Sequence, residues 1–402
     1  MKFLLAHGYD EGYADFPRLK AWIERLRAAG FAIDDFYVGM KVRGMRLSFK
    51  DLDYRWKTRD GALLEMYESL ARVSEDYDVL INFGGVNLHP DFLRMLTTIN
   101  VLRFSDDPES SEQVSRPIAS DHDICAVANI AAVENYRRWG VRHAYWVPNG
   151  FWHDDYEPSL TEAGIASGVR DVDVALLCER VNAYRRATVD RYSLAFPSGV
   201  FRGPGWPEGF LPESERVPLL QRAKIGVNIH NSTGPINYRT FYLPANGVMQ
   251  ICDNKQHLGQ IFKLDTEVVG YDSIDEAIEL TRYFLEHHDE RRAIAVAGYR
   301  RAIADYNEIE CFNRLLATVL QFVAAGDKRA PINEPALMLT SHLHRQVAAG
   351  SAPKASIMYW PTRIVSRVVG GGARRTAFVL ASANLRVRRA VKKIFSSRTH
   401  PS

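Results

Sequence analysis

Residues 224–253 read KIGVNIHNSTGPINYRTFYLPANGVMQICD, which sets His230, Asn231, Asn237 and Arg239 between two apolar, strand-like runs. The first run delivers His230 and Asn231 to its end, and Gly234-Pro235 turns the chain. Asn237 is placed to cap a helix expected over 238–246, which Gly247 ends. A helix start presents unpaired N–H groups and partial positive charge, so it favours anions. Arg239 in that first turn opposes the dipole preference, and a negative ligand would explain it; a diphosphate is the obvious candidate. A surface arginine beside an ordinary cap is the alternative.

Such residues need a frame to position them, and apolar strand-like runs alternate with helical patterns almost from the first residue. KFLLAH, FAIDDFYV, YDVLINFGG, TINVLRFSDD, HDICAVA and HAYWVPNG read as strands. Phe16, Leu19, Ile23 and Leu26 recur at helical spacing until Gly30, and Asp60 caps a helix through Val73. Further helical segments are expected near 90–97 and 130–139. This alternation implies right-handed crossovers and a parallel sheet covered on both faces, a Rossmann-like domain. A polar link, WHDDYEPSLTEAGIASG, follows, and the alternation restarts with VDVALLCE, a helix over 183–194, GVFRGPGW, IGVNIH, VMQICD and EVVGY. Ser273 and Glu276 form a capping box, and two more helices run between about 290 and 324. The fold class is therefore α/β, with two Rossmann-like domains facing a cleft. The boundaries expected are 1–165 for the first domain, 166–330 for the second with its closing helices, and 331–402 for a tail.

In open parallel sheets, ligands sit beyond the carboxyl ends of the strands. His7-Gly8 with Asp10 and Gly12, Gly84-Gly85, and Ser105-Asp106-Asp107 occupy those places in the first unit. Glu179-Arg180, Arg202-Gly203 and His230-Asn231 occupy them in the second.

Composition agrees with a soluble two-domain chain: 402 residues, 46% hydrophobic and 25% charged. The apolar runs are strand-sized, so no membrane-spanning helix is expected, and MKFLLAHGYDEG is too short in apolar core for a signal peptide. Four scattered cysteines, Cys125, Cys178, Cys252 and Cys311, read as reduced core thiols of a cytosolic protein rather than a metal site. The net charge of +3 hides an asymmetry. Residues 335–402 hold 12 of the 51 basic residues and no acid, leaving 39 basic against 48 acidic residues in the rest. An anionic partner for the tail follows, a lipid surface or a nucleic acid, unless the charge is merely solubilising.

From about Ala223 to Ala304 the chain resembles the C-terminal domain of GT-B glycosyltransferases, in particular the CgeB-like (spore-maturation protein type) group. The resemblance rests on Ala223-Lys224, Asn228, Asn237-Tyr238-Arg239-Thr240-Phe241, Gly247 and Asp253, followed by YDSIDEAIELTRYFLEHHDERRAIAVAGYRR. RFSDDPES and WVPNGFWHDDYEP resemble two further passages of the group, so the match spans about 75–310. It implies a nucleotide-diphosphate sugar held in the second domain and an acceptor hydroxyl presented by the first. It also implies donor-side roles for Thr240, Tyr242 and Asp253. Tyr242 is a departure: the group has a glutamate there, and in related nucleotide-sugar enzymes that carboxylate holds the ribose hydroxyls. A phenol cannot accept two hydrogen bonds in the same way.

Glycosyl transfer needs a stabilised leaving diphosphate and an activated hydroxyl. Arg239 with the helix start would supply the first without a metal, and no cofactor is expected beyond the sugar donor as co-substrate. His7, Asp10, Asp106 and Asp107 are the candidates for a general base, each with a structural role as the alternative. A retaining enzyme needs no protein base if the departing phosphate takes the proton. The tail, read as a helix over 374–395, puts Leu380, Ala383, Val387, Val391 and Ile394 on one stripe. Arg374, Arg375, Arg388, Arg389, Lys392 and Lys393 fall on the opposite side. That pattern suits anionic lipid, with Tyr359 and Trp360 at headgroup level, better than nucleic acid, which wants interleaved aromatics. The expectation is a cytoplasmic transferase peripheral to the inner membrane face, acting on a surface-glycan, lipid-linked or protein acceptor. A GT-B-shaped epimerase and a non-catalytic nucleotide-sugar-binding or scaffolding protein are the alternatives.

Overall fold

The computed structural model describes residues 1–39, 47–178, 181, 183–230 and 237–331, with only the backbone at 183 and 184. Glu179, Arg180, Asn231 and the basic tail lie outside the described residues.

The first half forms a six-stranded, wholly parallel sheet from β1 (Lys2–His7), β2 (Ala32–Tyr37), β3 (Val79–Phe83), β4 (Ile99–Phe104), β5 (Ile124–Val127) and β6 (Ala144–Trp146). Its strand order is β2-β1-β3-β4-β5-β6, so the order reverses between β1 and β3. Around it lie α1 (Phe16–Ala28), α2 (Phe49–Lys57), α3 (Gly61–Ser74), α4 (Pro90–Leu93), α5 (Arg116–Ala119) and α6 (Val133–Arg138). Successive strand side chains alternate between faces. Phe3 and Leu5 therefore meet Leu19, Ile23 and Leu26 of α1, while Leu4 and Ala6 meet Leu63, Leu64 and Leu70 of α3.

The short helix α7 (Glu162–Ser167) leads into the second, five-stranded parallel sheet. Its strands are β7 (Val172–Leu177), β8 (Val200–Arg202), β9 (Ala223–Asn228), β10 (Met249–Cys252) and β11 (Val269–Gly270), in the order β11-β10-β9-β7-β8. Here the reversal falls between β7 and β9. The helices are α8 (Ala183–Ala195), α9 (Glu213–Arg222), α10 (Arg239–Ala245), α11 (Lys255–Leu258), α12 (Ile274–Glu286), α13 (His288–Asp305) and α14 (Glu308–Ala325). Val189 and Tyr192 of α8, with Phe196 just beyond it, cover one face of this sheet, and Phe241 and Leu243 of α10 cover the other.

The strands stand where the apolar runs predict them, and five helices, α2, α5, α7, α9 and α11, have no counterpart in the sequence pattern. α2 lies inside a stretch that reads as polar because Leu52 and Trp56 are its only buried residues; Ser48 caps it by accepting from Asp51 N at 3.2 Å. α7 buries Ile165 alone, and α9 carries Pro218 in its interior. The capping box is half formed: Ser273 Oγ accepts from Glu276 N, but Glu276 reaches back to Asp272 N, one residue early.

The last helix corrects the expected second domain. Phe312, Leu315, Val319 and Phe322 of α14 pack with Phe3, Leu5, Ile81 and Val101, so α14 belongs by packing to the first sheet. Asn307 caps it, accepting from Ile309 N (2.9 Å) and Glu310 N (3.0 Å), where the chain crosses back. The outward crossing at Gly150 runs beside this return: a Cβ at Gly150, whose φ is +67°, would stand 2.3 Å from Tyr306 O and 2.5 Å from Cys311 Sγ. Asp155 closes the junction, accepting from Arg18 of α1 at 2.9 Å and from Arg216 of α9 at 2.5 Å. No helix among the described residues is long and apolar enough to cross a membrane.

Candidate functional site

The two reversal points are where a parallel sheet leaves a crevice, because neighbouring crossovers depart to opposite faces. At the β7/β9 reversal the crevice holds Arg239. Its Nε donates to Asn228 Oδ1 (2.9 Å), Nη1 to Leu177 O (2.6 Å) and Nη2 to Ile229 O (3.2 Å). The guanidinium thus bridges the carboxyl ends of both strands. No carboxylate among the described residues stands within 4 Å of it.

The bed under Arg239 is a buried amide network. Asn228 Nδ2 lies 3.1–3.2 Å from Gln250 Oε1, Thr240 Oγ1 and Asn237 Oδ1, and Asn237 Nδ2 returns a bond to Asn228 Oδ1 at 2.9 Å. Asn237 accepts from Thr240 N at 3.2 Å, but α10 begins one residue later than expected, at Arg239, with Tyr238 in the N-cap position and no side-chain cap there, and is only seven residues long. Thr240, also buried, bonds both Asn237 and Asn228.

Arg185, in the first turn of α8, was not among the residues expected here. It is buried, donates to Cys178 Sγ at 3.2 Å, and has its pKa pulled down to about 10, first by burial and then by the charge of Arg239. Its sequence signal was the one that marks Arg239, a basic residue at the start of a helix that follows a strand.

His230 Nδ1 lies 2.5 Å from Asp253 Oδ1, and its backbone N–H donates to Asp253 Oδ2 at 2.8 Å. His230 Nε2 lies 3.3 Å from Thr240 Oγ1. Cys252 adds a sulfur, and the three candidate ligand atoms fall within 4.8 Å of one another. Burial, helped by Asp253, pushes the Cys252 thiol well up, which opposes the thiolate a metal needs. The trio works as a hydrogen-bonded His–Asp pair.

Three expected donor-side residues serve other ends. Arg202, on the edge strand β8, is paired with Glu208 at 2.9 Å. Gly203, at φ +139°, lets its loop pass Cys178, whose carbonyl oxygen would lie 2.1 Å from a Cβ there. Tyr242 is a core residue, 6% exposed, with Arg216 held 5.6 Å from its ring centroid.

At the β1/β3 reversal, two of the expected bases are excluded by their own hydrogen bonds. The Tyr9 N–H can only donate, so His7 Nδ1 accepts it (3.2 Å), and the ring proton on Nε2 faces Asp35 Oδ2 (3.1 Å). His7 therefore has no lone pair to offer a substrate. That bond and Lys20 hold the Asp35 carboxyl down at about 2. Asp107 is 1% exposed and accepts from Ser111 Oγ and Ser115 Oγ (both 2.7 Å) and from Tyr136 OH (2.5 Å). Burial raises its pKa, and it is a structural lock. Asp10 and Asp106 keep partial or full exposure on loops after β1 and β4. Asp10 accepts from Gly12 N (3.0 Å). Tyr9, whose hydroxyl is raised chiefly by burial, is also under the influence of Tyr238 and Asp106, so these groups share one neighbourhood.

Residues 177–317 match the family described as Glycosyl transferase-like. Solved structures match over more of the chain. Sucrose-phosphate synthase from Thermosynechococcus elongatus has a TM-score of 0.57 at 12% identity, covering 81% of this chain and 100% of that one. A glycosyltransferase from Rickettsia africae gives 0.55 at 11%, covering 80% and 98%. HepE from Anabaena gives 0.54 at 11%, covering 80% and 100%. The fold is GT-B. No curated protein matches the sequence.

In this GT-B chain the return of α14 to the first lobe helps shape a cavity of about 50 Å³ at the cleft floor. Its lining includes Trp22, Phe83, Arg103 and Trp152 together with Tyr238, the residue just before Arg239. Sequence reasoning passed over Arg103, which lies within β4 and gives no rim signal.

Proposed function

We propose that the protein transfers a sugar from a nucleotide-diphosphate donor held in the second lobe to a hydroxyl acceptor presented by the first. The observation that carries this reading is Arg239, an arginine bound to carbonyl and amide oxygens at the β7/β9 crevice, with Arg185 as a second cation beside it. Two neighbouring guanidiniums repel each other, and a diphosphate relieves that repulsion. As the sugar–oxygen bond breaks, negative charge grows on the leaving diphosphate, and fixed cations in a water-poor crevice stabilise that growth most. The acceptor proton goes to Asp10 or Asp106, or to the departing phosphate itself. The match of 177–317 to a glycosyl transferase-like family, and the HepE structures with UDP and with UDP-glucose, support trying a uridine donor first.

The experiment is calorimetric titration of UDP and of inorganic pyrophosphate into the full chain and its Arg239→Ala variant. Undiminished binding by a folded variant would refute the site. Tyr242 favours a second reading, a GT-B protein that binds nucleotide sugar without turnover, because the family's ribose-holding carboxylate is replaced by a core residue. Release of UDP from UDP-glucose in the presence of an acceptor panel separates the two. The basic tail would hold the enzyme on anionic lipid at the inner membrane face. A chain ending at residue 331 should then stay folded and lose co-sedimentation with phosphatidylserine vesicles; unchanged sedimentation refutes this.

A further inference from the structure

We propose that the cavity at the cleft floor receives the carboxylate of an acidic sugar, so that the acceptor is a glycan ending in a uronic acid. This rests on the reading of the cleft as a sugar-transfer site and adds the class of the acceptor.

Arg103 supplies the charge. Its Nη1 donates to Ala126 O (3.2 Å) and its Nη2 to Pro148 O (2.9 Å) and Asn149 Oδ1 (2.7 Å). These acceptors are neutral, and no carboxylate among the described residues lies within 4 Å of the guanidinium. Burial disfavours the charged form of Arg103, a cost that a bound anion offsets. Glu308 also lines the cavity, but its carboxylate is engaged by Arg25 and by the His153 N–H (3.0 Å). It leaves the charge of Arg103 unanswered.

Size narrows the anion. A cavity of about 50 Å³ has room for roughly three to five water-sized groups. A carboxylate, with three heavy atoms, fits with room to spare, whereas a phosphate ester, with five, would take up the whole volume. The walls favour a ring outside the cavity. Trp22 and Trp152 are stacked at 5.8 Å and 5°, and Trp22 meets Phe83 at 5.7 Å. Their faces cover one another and Arg18 lies over Trp152, so the half-buried rings offer a sugar an apolar rim rather than a stacking face. Position favours an acceptor. Tyr238 lines the cavity and Arg239 is the next residue, about 3.8 Å along the backbone. A ring anchored here by its carboxylate presents its hydroxyls toward the diphosphate site.

The test uses the full chain and three probes: methyl glucuronide, methyl glucoside and glucose 6-phosphate, followed by calorimetry and by the fluorescence of the tryptophans in the wall. The glucuronide should bind about tenfold or more tighter than the glucoside, the effect of one charge-assisted contact. Arg103→Gln should abolish that preference. Equal binding of glucuronide and glucoside overturns the proposal, as does a preference that survives Arg103→Gln or a tighter response to glucose 6-phosphate. Should the variant fail to fold, the comparison of the three probes on the unaltered chain decides. UDP titrated separately tests the donor site, so failure there is distinguishable from failure of the cavity.

Discussion

Arg239→Ala removes a group that braces the crevice and, on the proposed function, also holds the donor. Without ligand, Arg239 makes three hydrogen bonds, to Asn228 Oδ1, Leu177 O and Ile229 O. At a net contribution of about 0.5–1.5 kcal/mol each, their loss destabilises the apo protein by about 1.5–4.5 kcal/mol. Some of this returns, because Arg185 no longer faces a like charge. With ligand, the variant loses a charge-assisted contact of about 1.5–3 kcal/mol, or roughly 10- to 150-fold in Kd. The thermal melt should therefore fall, and binding should weaken beyond what that fall explains. Calorimetry with UDP and pyrophosphate, run well below the variant's melting point with circular dichroism as the check on folding, measures the second effect alone. Arg185→Ala and the double variant complete a cycle, and non-additive losses are expected if the proposed diphosphate bridges both cations. A folded Arg239→Ala protein that binds UDP within twofold of the unaltered chain refutes the reasoning.

Three further outcomes follow from contacts elsewhere in the fold. His122 is 1% exposed, with Nε2 3.2 Å from Asn82 Nδ2, and burial pulls its pKa from 6.5 to about 4. The unfolded chain then binds the extra proton first, so about 3 kcal/mol of stability is lost as pH falls from about 6.5 to 4. Urea unfolding at pH 7 and pH 4.5 should show the loss, and His122→Gln should flatten it. Gly150→Ala combines a left-handed backbone with a Cβ 2.3 Å from Tyr306 O, so it should cost about 2–5 kcal/mol in the same assay. Asp155→Asn leaves Arg18 and Arg216 without their shared carboxylate. It should cost about 2–3 kcal/mol, below the 3–5 kcal/mol of a fully buried pair because Arg18 keeps Asp154 and Glu213.

The central strands β1, β3, β4, β5, β7, β9 and β10 were legible because a strand buried on both faces of a parallel sheet reads as a short apolar run. The edge strands β2 and β8, little buried, were legible from the alternation around them. α2, α5, α7, α9 and α11 were not, since helices with one or two buried residues leave no periodic stripe. The stripe Phe312, Leu315, Val319, Phe322 was legible as a helix face, yet it records burial without naming the sheet that buries it. Hence α14 was assigned to the wrong lobe. In the site, Arg239 was legible because it contradicts the helix dipole. His7 and Asp107 were misjudged as bases because residue type does not reveal hydrogen bonds made by residues distant in sequence. His7 is fixed partly by Asp35, and Asp107 by Tyr136.

Tyr242 shows how one departure from the pattern that this stretch resembles ties α10 to the junction between lobes. Arg216 lies over the Tyr242 ring and, from there, pairs with Asp155, which also takes Arg18 from the first lobe. A glutamate at 242 would offer Arg216 a charge of its own and compete with Asp155 for it. The aromatic ring instead supports the guanidinium from below through a cation–π contact and leaves both of its charge partners on the junction. Residue 242 is thus committed to holding α9 against the crossing segment. On the proposed function, recognition of the donor would lean on the diphosphate end of the crevice, where Arg185 and Arg239 sit, more than on the ribose.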